Sequence, residues 1–483
     1  MKLTFLGAAD TVTGSRHLLT MGDQRLLLDA GLFQGFKALR ERNWLPFQAP
    51  TLASTQAAPH GGAAGLGSGT AAREGGPAQQ LDAVLLSHAH LDHCGYLPAL
   101  RRQGFKGPIY ATAATRDLCD VLLRDSAHLQ EEDARRANRD GSSRHDRALP
   151  LYSVREAEAT MKQFVAVPRD GRVTLGGTDV RFTPGGHLLG ATSIHVRHGA
   201  RSLLFSGDVG RAGDLLMPTP QVPPAADVVM IESTYGNRLH APEDAQARLA
   251  QILRSTLKRG GSLLLPSFAV GRAQALLLVL QRLRNAGELP LDVPIWLDSP
   301  MAEQATELTI QHARLLRISA SEARSLTDRV HYVTKQAQSL KLAASLAAPR
   351  AKPAIVISAS GMATGGRVLN YLETLAPQPR HHIAFPGFQA GGTRGARIVA
   401  GEREVKIRGR WVPVNAEISH LDGFSGHADA DGLVQWLRAL PRPPEQVYVV
   451  HGEPAAADAL RSRIQDELGW PVRVPQHGET VTW

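Results

Sequence analysis

A chain of 483 residues exceeds the length at which a single hydrophobic core usually stops growing, so two lobes are expected. Charged residues at 20% and hydrophobic residues at 43% exclude a disordered or fibrous chain, and no apolar run is long enough to cross a bilayer, so a cytoplasmic protein without membrane contact is expected. The net charge of +9 favours an anionic partner such as nucleic acid, and two cysteines, Cys94 and Cys119, are too few for a disulfide framework and read as small buried or half-buried thiols.

In chain order, the first lobe opens with short apolar strands separated by glycine turns: KLTFLG, HLLTMG, RLLLDAG, DAVLLS and PIYAT. Helical patterns such as TRDLCDVLLRDSAHL follow, which predicts a layered α/β arrangement. Residues 51–80 are rich in Ala, Gly, Ser and Thr and are expected to be a flexible insertion without chemistry, His60 included. From about residue 233, helical stretches alternate with SLLLPSF, PIWLDS and AIVISAS, the pattern of a parallel sheet flanked by helices. The last segment, with GFSGHADADGLVQWLRAL and QVYVVHGE, returns to the earlier character. This order predicts one domain interrupted by another.

The stretch LLSHAHLDHCGYLP, residues 85–98, places His88, His90, Asp92 and His93 where a strand gives way to a helix. Imidazole and carboxylate suit zinc, and side chains that diverge from one short turn can serve two ions. TPGGHLLGAT sets His187 in a glycine-rich loop, RSLLFSGDVG sets Asp208 after an apolar strand, and QVYVVHGE does the same for His451. Asp29, in LLLDAG, suits a bracing carboxylate behind the histidines better than a ligand.

The series HAHLDH, GGHLLG and SGD resembles the metallo-β-lactamase fold, an αββα sandwich with metals at one edge. IESTYG, GFSGHAD and VVHGE resemble the three additional motifs of the β-CASP nucleases, the group that includes ribonuclease J and the pre-mRNA 3′-end endonuclease. The resemblance implies a metallo-β-lactamase domain over 1–232, an inserted α/β β-CASP domain with a parallel sheet over 233–415, and a return over 416–483 with RNA-metabolising motifs. It also implies that His88, His90 and His187 hold one zinc, that Asp92, His93 and His451 hold a second, and that Asp208 bridges the two; manganese suits the same donors. Asp92, Glu232 and His427 are then the catalytic set, with Glu232 orienting His427 and His427 protonating the leaving oxygen. A histidine rather than a valine at position 451 points to RNA over DNA.

Two metals of this kind supply hydroxide as nucleophile, which predicts single-stranded RNA cleaved to 5′-phosphate and 3′-hydroxyl ends, from inside the strand, from its 5′ end, or both. In the second lobe, IVISASGMATGGR offers Ser358, Ser360, Gly361, Gly365, Gly366 and Arg367 as a phosphate cradle or, equally, a structural turn. Arg272, in PSFAVGRAQ, either contacts the RNA backbone or holds the lobe interface. His381 and His382 read as structural or solvent-facing, His420 has no assigned role, and Asn370 replaces a histidine found in many relatives. A homodimer stays open. Two other readings compete: a hydrolase of small esters, thioesters or lactams, and an RNA-binding partner that has lost catalysis.

Overall fold

The structure, a computed structural model, describes residues 1–48, 76–141, 146–168, 170–240, 244–387 and 389–483. The insertion expected over 51–80 therefore falls, up to residue 75, outside the described residues.

Two seven-stranded sheets form the first lobe. One has the order Thr480–Thr482, Lys2–Phe5, His17–Met21, Gln24–Leu28, Ala83–Leu85, Ile109–Ala111, Phe164–Ala166; the other has the order Val472–Arg473, Gln446–Val450, Val228–Glu232, Arg201–Phe205, Thr192–His198, Thr178–Pro184, Arg172–Leu175. The period of two along each strand decides the layering. Leu3, Phe5, Leu26 and Leu28 face Phe182, Ile194, Leu203 and Met230 between the sheets. The alternate residues Leu18, Leu27 and Val84 pack outward on Leu97, Leu100 and Leu118, which lie on the helices Leu97–Arg102 and Ala113–Arg139. Behind the second sheet, Val229, Ile231, Val447 and Val449 cover Leu433, Leu437, Leu460 and Ile464 of the helices Ala430–Arg438 and Pro454–Leu468. This is an αββα sandwich. Both strand faces are apolar because each is covered.

The second lobe is built on a six-stranded, all-parallel sheet in the order Val330–Tyr332, Ile295–Asp298, Ile355–Ser358, Leu263–Pro266, His382–Pro386, Glu417–Leu421. Its last strand lies past residue 415, so the sheet runs beyond the boundary expected from sequence. The chain ends meet, with the Met1 ammonium donating to the Trp483 carbonyl at 2.8 Å. Cys94 and Cys119 are both buried thiols. No helix among the described residues is long and apolar enough to cross a membrane.

Candidate metal centre

Strands of both first-lobe sheets end at one rim of the sandwich, and the polar residues following them converge there. His88 and His90 leave the strand Ala83–Leu85 in extended backbone, and Asp92 and His93 fall in the short helix Leu91–Cys94. His187 comes from the turn after Thr178–Pro184, Asp208 from the end of Arg201–Phe205, and His451 from the end of Gln446–Val450. One ligand atom each from His88, His90, His187 and Asp208 lies within 4.8 Å of the others, and the same holds for Asp92, His93 and His451. Asp208 straddles the two groups. Its Oδ2 lies 3.4 Å from His88 Nε2 and 3.5 Å from His187 Nε2, while Oδ1 lies 3.3 Å from His93 Nε2 and 3.6 Å from His451 Nδ1.

The imidazoles are held by their outer edges. His93 Nδ1 donates to Asp29 Oδ2 at 2.7 Å, and His187 Nδ1 donates to the Gly426 carbonyl at 3.1 Å, so each ring turns its Nε2 toward the centre. Asp29 is fully buried and also accepts the Ser87 backbone N–H at 2.8 Å, the Ser87 hydroxyl at 2.9 Å and the Ser15 hydroxyl at 3.1 Å. This carboxylate clamps the histidine turn to the neighbouring strand end. Asp29 and His451 adopt left-handed backbone, φ 59° and 52°, a conformation uncommon outside glycine that these contacts hold in place.

Burial, reinforced by neighbouring imidazoles, pushes His88, His90 and His187 below the ordinary histidine range, His90 to about 3. These three are neutral ligands at pH 7. Burial acts the same way on His93 and His451, but Asp208 and the partners Asp29 and Asp92 outweigh it and hold both above the ordinary value. Burial would raise Asp208, yet His451, His93 and His88 pull it well below the usual carboxylate range.

The residues present fit metal ions. Imidazole nitrogens converge at 3.0 Å between His93 and His451 and at 3.2 Å between His88 and His90, so the ring edges are gathered around one small space. Asp208 Oδ1 is buried without hydrogen-bond geometry to any donor, despite its two imidazole neighbours. A mixed histidine and carboxylate set of this kind suits zinc.

Beside this cluster, Glu232 ends the strand Val228–Glu232 and is fully buried. It accepts the Val209 N–H at 2.8 Å, the Thr234 N–H at 3.1 Å and His427 Nδ1 at 3.0 Å. With Nδ1 donating to Glu232, His427 Nε2 is the atom left to exchange a proton. The His427 and His187 ring centroids are 4.3 Å apart. Sequence reasoning missed three supports here: Ser87, whose Oγ meets His88 Nδ1 at 3.0 Å; Thr234, whose Oγ1 meets His451 Nδ1 at 3.2 Å; and His240, whose Nε2 donates to the His427 carbonyl at 2.9 Å. Ser87 and His240 flank a motif and Thr234 lies within IESTYG, and none of the three has a spacing signal of its own.

The glycine-rich loop of the second lobe combines buried and accessible positions. The Arg367 guanidinium turns inward, donating to Asp298 Oδ1 at 2.9 Å and to the Val333 and Thr334 carbonyls at 2.7 Å each, because buried Asp298 requires a counter-charge. Ser358 is buried at the end of its strand, and Gly361 is buried against Phe268. Ser360, Gly365 and Gly366 stay accessible. Arg272, which begins the helix Arg272–Asn285, donates to the Phe424 carbonyl, so it ties the second lobe to the loop bearing His427. Asn370 is buried, donating to Ser339 at 2.9 Å and accepting from Arg408 at 2.7 Å, so it faces the scaffold. His381 and His382 are both buried, and His420 donates to the Gly387 carbonyl at 2.8 Å.

Three family models match the chain: the metallo-beta-lactamase superfamily over residues 17–266, the Beta-Casp domain over 273–398, and the Zn-dependent metallo-hydrolase RNA specificity domain over 411–475. The chain is 35% identical over its full length to the full length of ribonuclease TTHA0252 of Thermus thermophilus. Across 83% of its length it is 34% identical to the transcription termination factor FttA of Pyrococcus horikoshii, of which it spans 61%. A crystal structure of a protein of unknown function from Enterococcus faecalis V583 aligns over 100% of this chain and 99% of that one, with a TM-score of 0.53 and 14% identity, a likeness of fold alone. With the sandwich, the inserted parallel sheet and the histidine rim, these matches identify the chain as a member of the β-CASP family of metallo-β-lactamase-fold, metal-dependent hydrolases.

Proposed function

We propose that this protein is a zinc-dependent ribonuclease that hydrolyses single-stranded RNA to 5′-phosphate and 3′-hydroxyl ends. The observation that carries this reading is the His427–Glu232 pair, 3.0 Å apart and set against the His187 edge of the histidine cluster. The inserted second lobe, together with this pair, favours RNA over a small-molecule substrate. His88, His90 and His187 would hold one Zn²⁺, and Asp92, His93 and His451 the other, with Asp208 reaching both; Mn²⁺ suits the same donors. When bound, two such ions lower the pKa of a water toward neutrality and polarise the phosphodiester.

The chain's own residues supply the rest. A water-derived oxygen attacks phosphorus and the bond to the 3′-oxygen breaks, which leaves the phosphate on the 5′ side of the downstream product. His427 Nε2 gives its proton to the departing 3′-oxygen, and Glu232, accepting from Nδ1, stabilises the charged imidazole and fixes its tautomer. Asp29 and Ser87 keep His93 and His88 turned inward throughout. In the second lobe, the accessible Ser360, Gly365 and Gly366 offer hydroxyl and backbone N–H groups to a phosphate.

The test uses metal-loaded protein and its His427→Ala variant on one RNA of defined sequence, labelled separately at each end, with matched DNA as control. The expected result is RNA cleavage leaving 5′-phosphates, strongly reduced in the variant, with the label pattern separating internal from terminal cuts. RNA left intact by protein carrying two metals per chain would sink the reading.

A further inference from the structure

The loop leaving the strand Gln24–Leu28 is rooted in the metal centre and ends at its lip. Ala30 donates to the His93 carbonyl at 2.7 Å and Leu32 to the Leu91 carbonyl at 2.8 Å. Gly31 is packed so closely on the Asp92 carbonyl that any side chain there would overlap it. A few residues on, the chain turns outward and presents Phe36, a residue 59% exposed. Among the described residues the exposed large aromatic side chains are Phe36, Trp44 and Trp411, and of these Phe36 alone follows directly from the loop tied to Asp92 and His93.

The ring is held at the junction of the two lobes. A β-carbon on Gly392 of the second lobe would lie 3.0 Å from it, and one on Gly391 would lie 3.8 Å from its tip and 3.7 Å from Glu453 Oε1. Glu453 is two residues past His451. Phe36 therefore stands on the rim beside the Asp92, His93 and His451 group, opposite a stretch of exposed glycine backbone. The helix that follows, Lys37–Glu41, buries no residue, and Lys37, Arg40 and Arg42 put three cations within six positions of the ring.

An exposed aromatic face flanked by cations and bare backbone fits a nucleobase and its phosphates, since every base has a π-face and the strand is anionic. A protein partner would call for a wide, continuous apolar patch, whereas the segment facing the ring is the glycine backbone of 391–392; Trp44 and Leu45 are the other exposed apolar side chains of this stretch. We propose that Phe36 is the platform on which one base of the RNA strand stacks as the strand passes the Asp92, His93 and His451 end of the centre. This rests on the ribonuclease reading above. A stacked base fixes the register of the strand against the scissile phosphate without selecting sequence, and it favours single strands because duplex bases already stack on one another.

The experiment is an abasic scan. Single-stranded RNAs, each lacking one base at a successive position from the cut, are cleaved by metal-loaded wild type, Phe36→Ala and Phe36→Trp, with KM and kcat measured separately. The wild type should show a rise in KM of about ten-fold at one position only. Phe36→Ala should show that rise on intact RNA and lose the positional effect, Phe36→Trp should retain wild-type behaviour, and all three should melt at the same temperature because the ring lies outside the core. If Phe36→Ala keeps the positional effect, or leaves KM on intact RNA unchanged, the platform is overturned while the ribonuclease reading stands. A changed sedimentation mass for Phe36→Ala with unchanged RNA kinetics would overturn it in favour of self-association. Wild type that cleaves none of the RNAs would remove both readings together.

Discussion

The histidine-rich turn of the first lobe and the glycine-rich turn of the second are built alike, each at the carboxyl end of a strand and each leading into a helix. They differ in where their polar side chains go. In the first, residues from both sheets point inward to one place, and Asp29 with its four donors fixes that convergence. In the second, the charged group turns back into its own scaffold: Arg367 neutralises Asp298, which also accepts the Tyr371 hydroxyl at 2.6 Å. What stays accessible there is Ser360 and glycine backbone. The lesson is that a motif at a strand end marks a place for chemistry, while the direction of its side chains depends on which buried charges nearby need a partner.

The sharpest way to break the contrast is to remove Asp208, the one carboxylate that reaches both histidine groups. Asp208→Ala should lower zinc per chain, read by elemental analysis, and reduce RNA hydrolysis by about 10⁴-fold or more, as when one member of a catalytic unit is lost. Retained zinc with retained hydrolysis would show that the two groups do not act together. His427→Ala should keep its zinc and lose about 10² to 10⁴ in kcat, the range for general acid catalysis. If zinc is lost as well, His427 belongs to the metal shell.

On the other turn, Arg367→Ala should cost about 3 kcal/mol of stability by leaving Asp298 buried and unpaired, read by denaturant unfolding. An unchanged midpoint with weakened RNA binding would restore the phosphate contact expected from sequence. A smaller effect should separate the bracing carboxylate from the ligands: Asp29→Asn should weaken zinc affinity about 10- to 100-fold in a competition titration.

A pH-dependent effect concerns His17, buried between Phe5 and Phe205 with neither ring nitrogen hydrogen-bonded. Burial pushes its pKa from 6.5 to about 3, so the folded state binds this proton less readily than the unfolded chain. The stability that the neutral ring contributes is full above about pH 6.5 and is lost as pH falls from there toward 3. His17→Phe should therefore unfold less steeply with acid across that window than the wild type, as followed by urea unfolding from pH 7 to pH 4. Identical slopes would mean that the ring finds a proton partner.

Much of the molecule was legible in the sequence. HAHLDH could be read because its four polar residues fall within six positions, so local geometry alone groups them. The parallel sheet was equally readable from alternating apolar runs and helical stretches, since hydrophobic periodicity records which faces are covered. The residues that complete the first cluster were marked by strand ends and by the family's motifs. What the sequence could not carry were contacts between distant positions without a motif of their own: His240 holding the His427 carbonyl 187 residues away, Arg367 turning to Asp298 across 69, and Phe36 laid against Gly392. Local spacing and hydrophobic patterning act within a few residues and are written along the chain. The direction in which an arginine points, or whether an aromatic ring stays in solvent, depends on the charges and surfaces that folding brings beside it, and only the tertiary structure decides that.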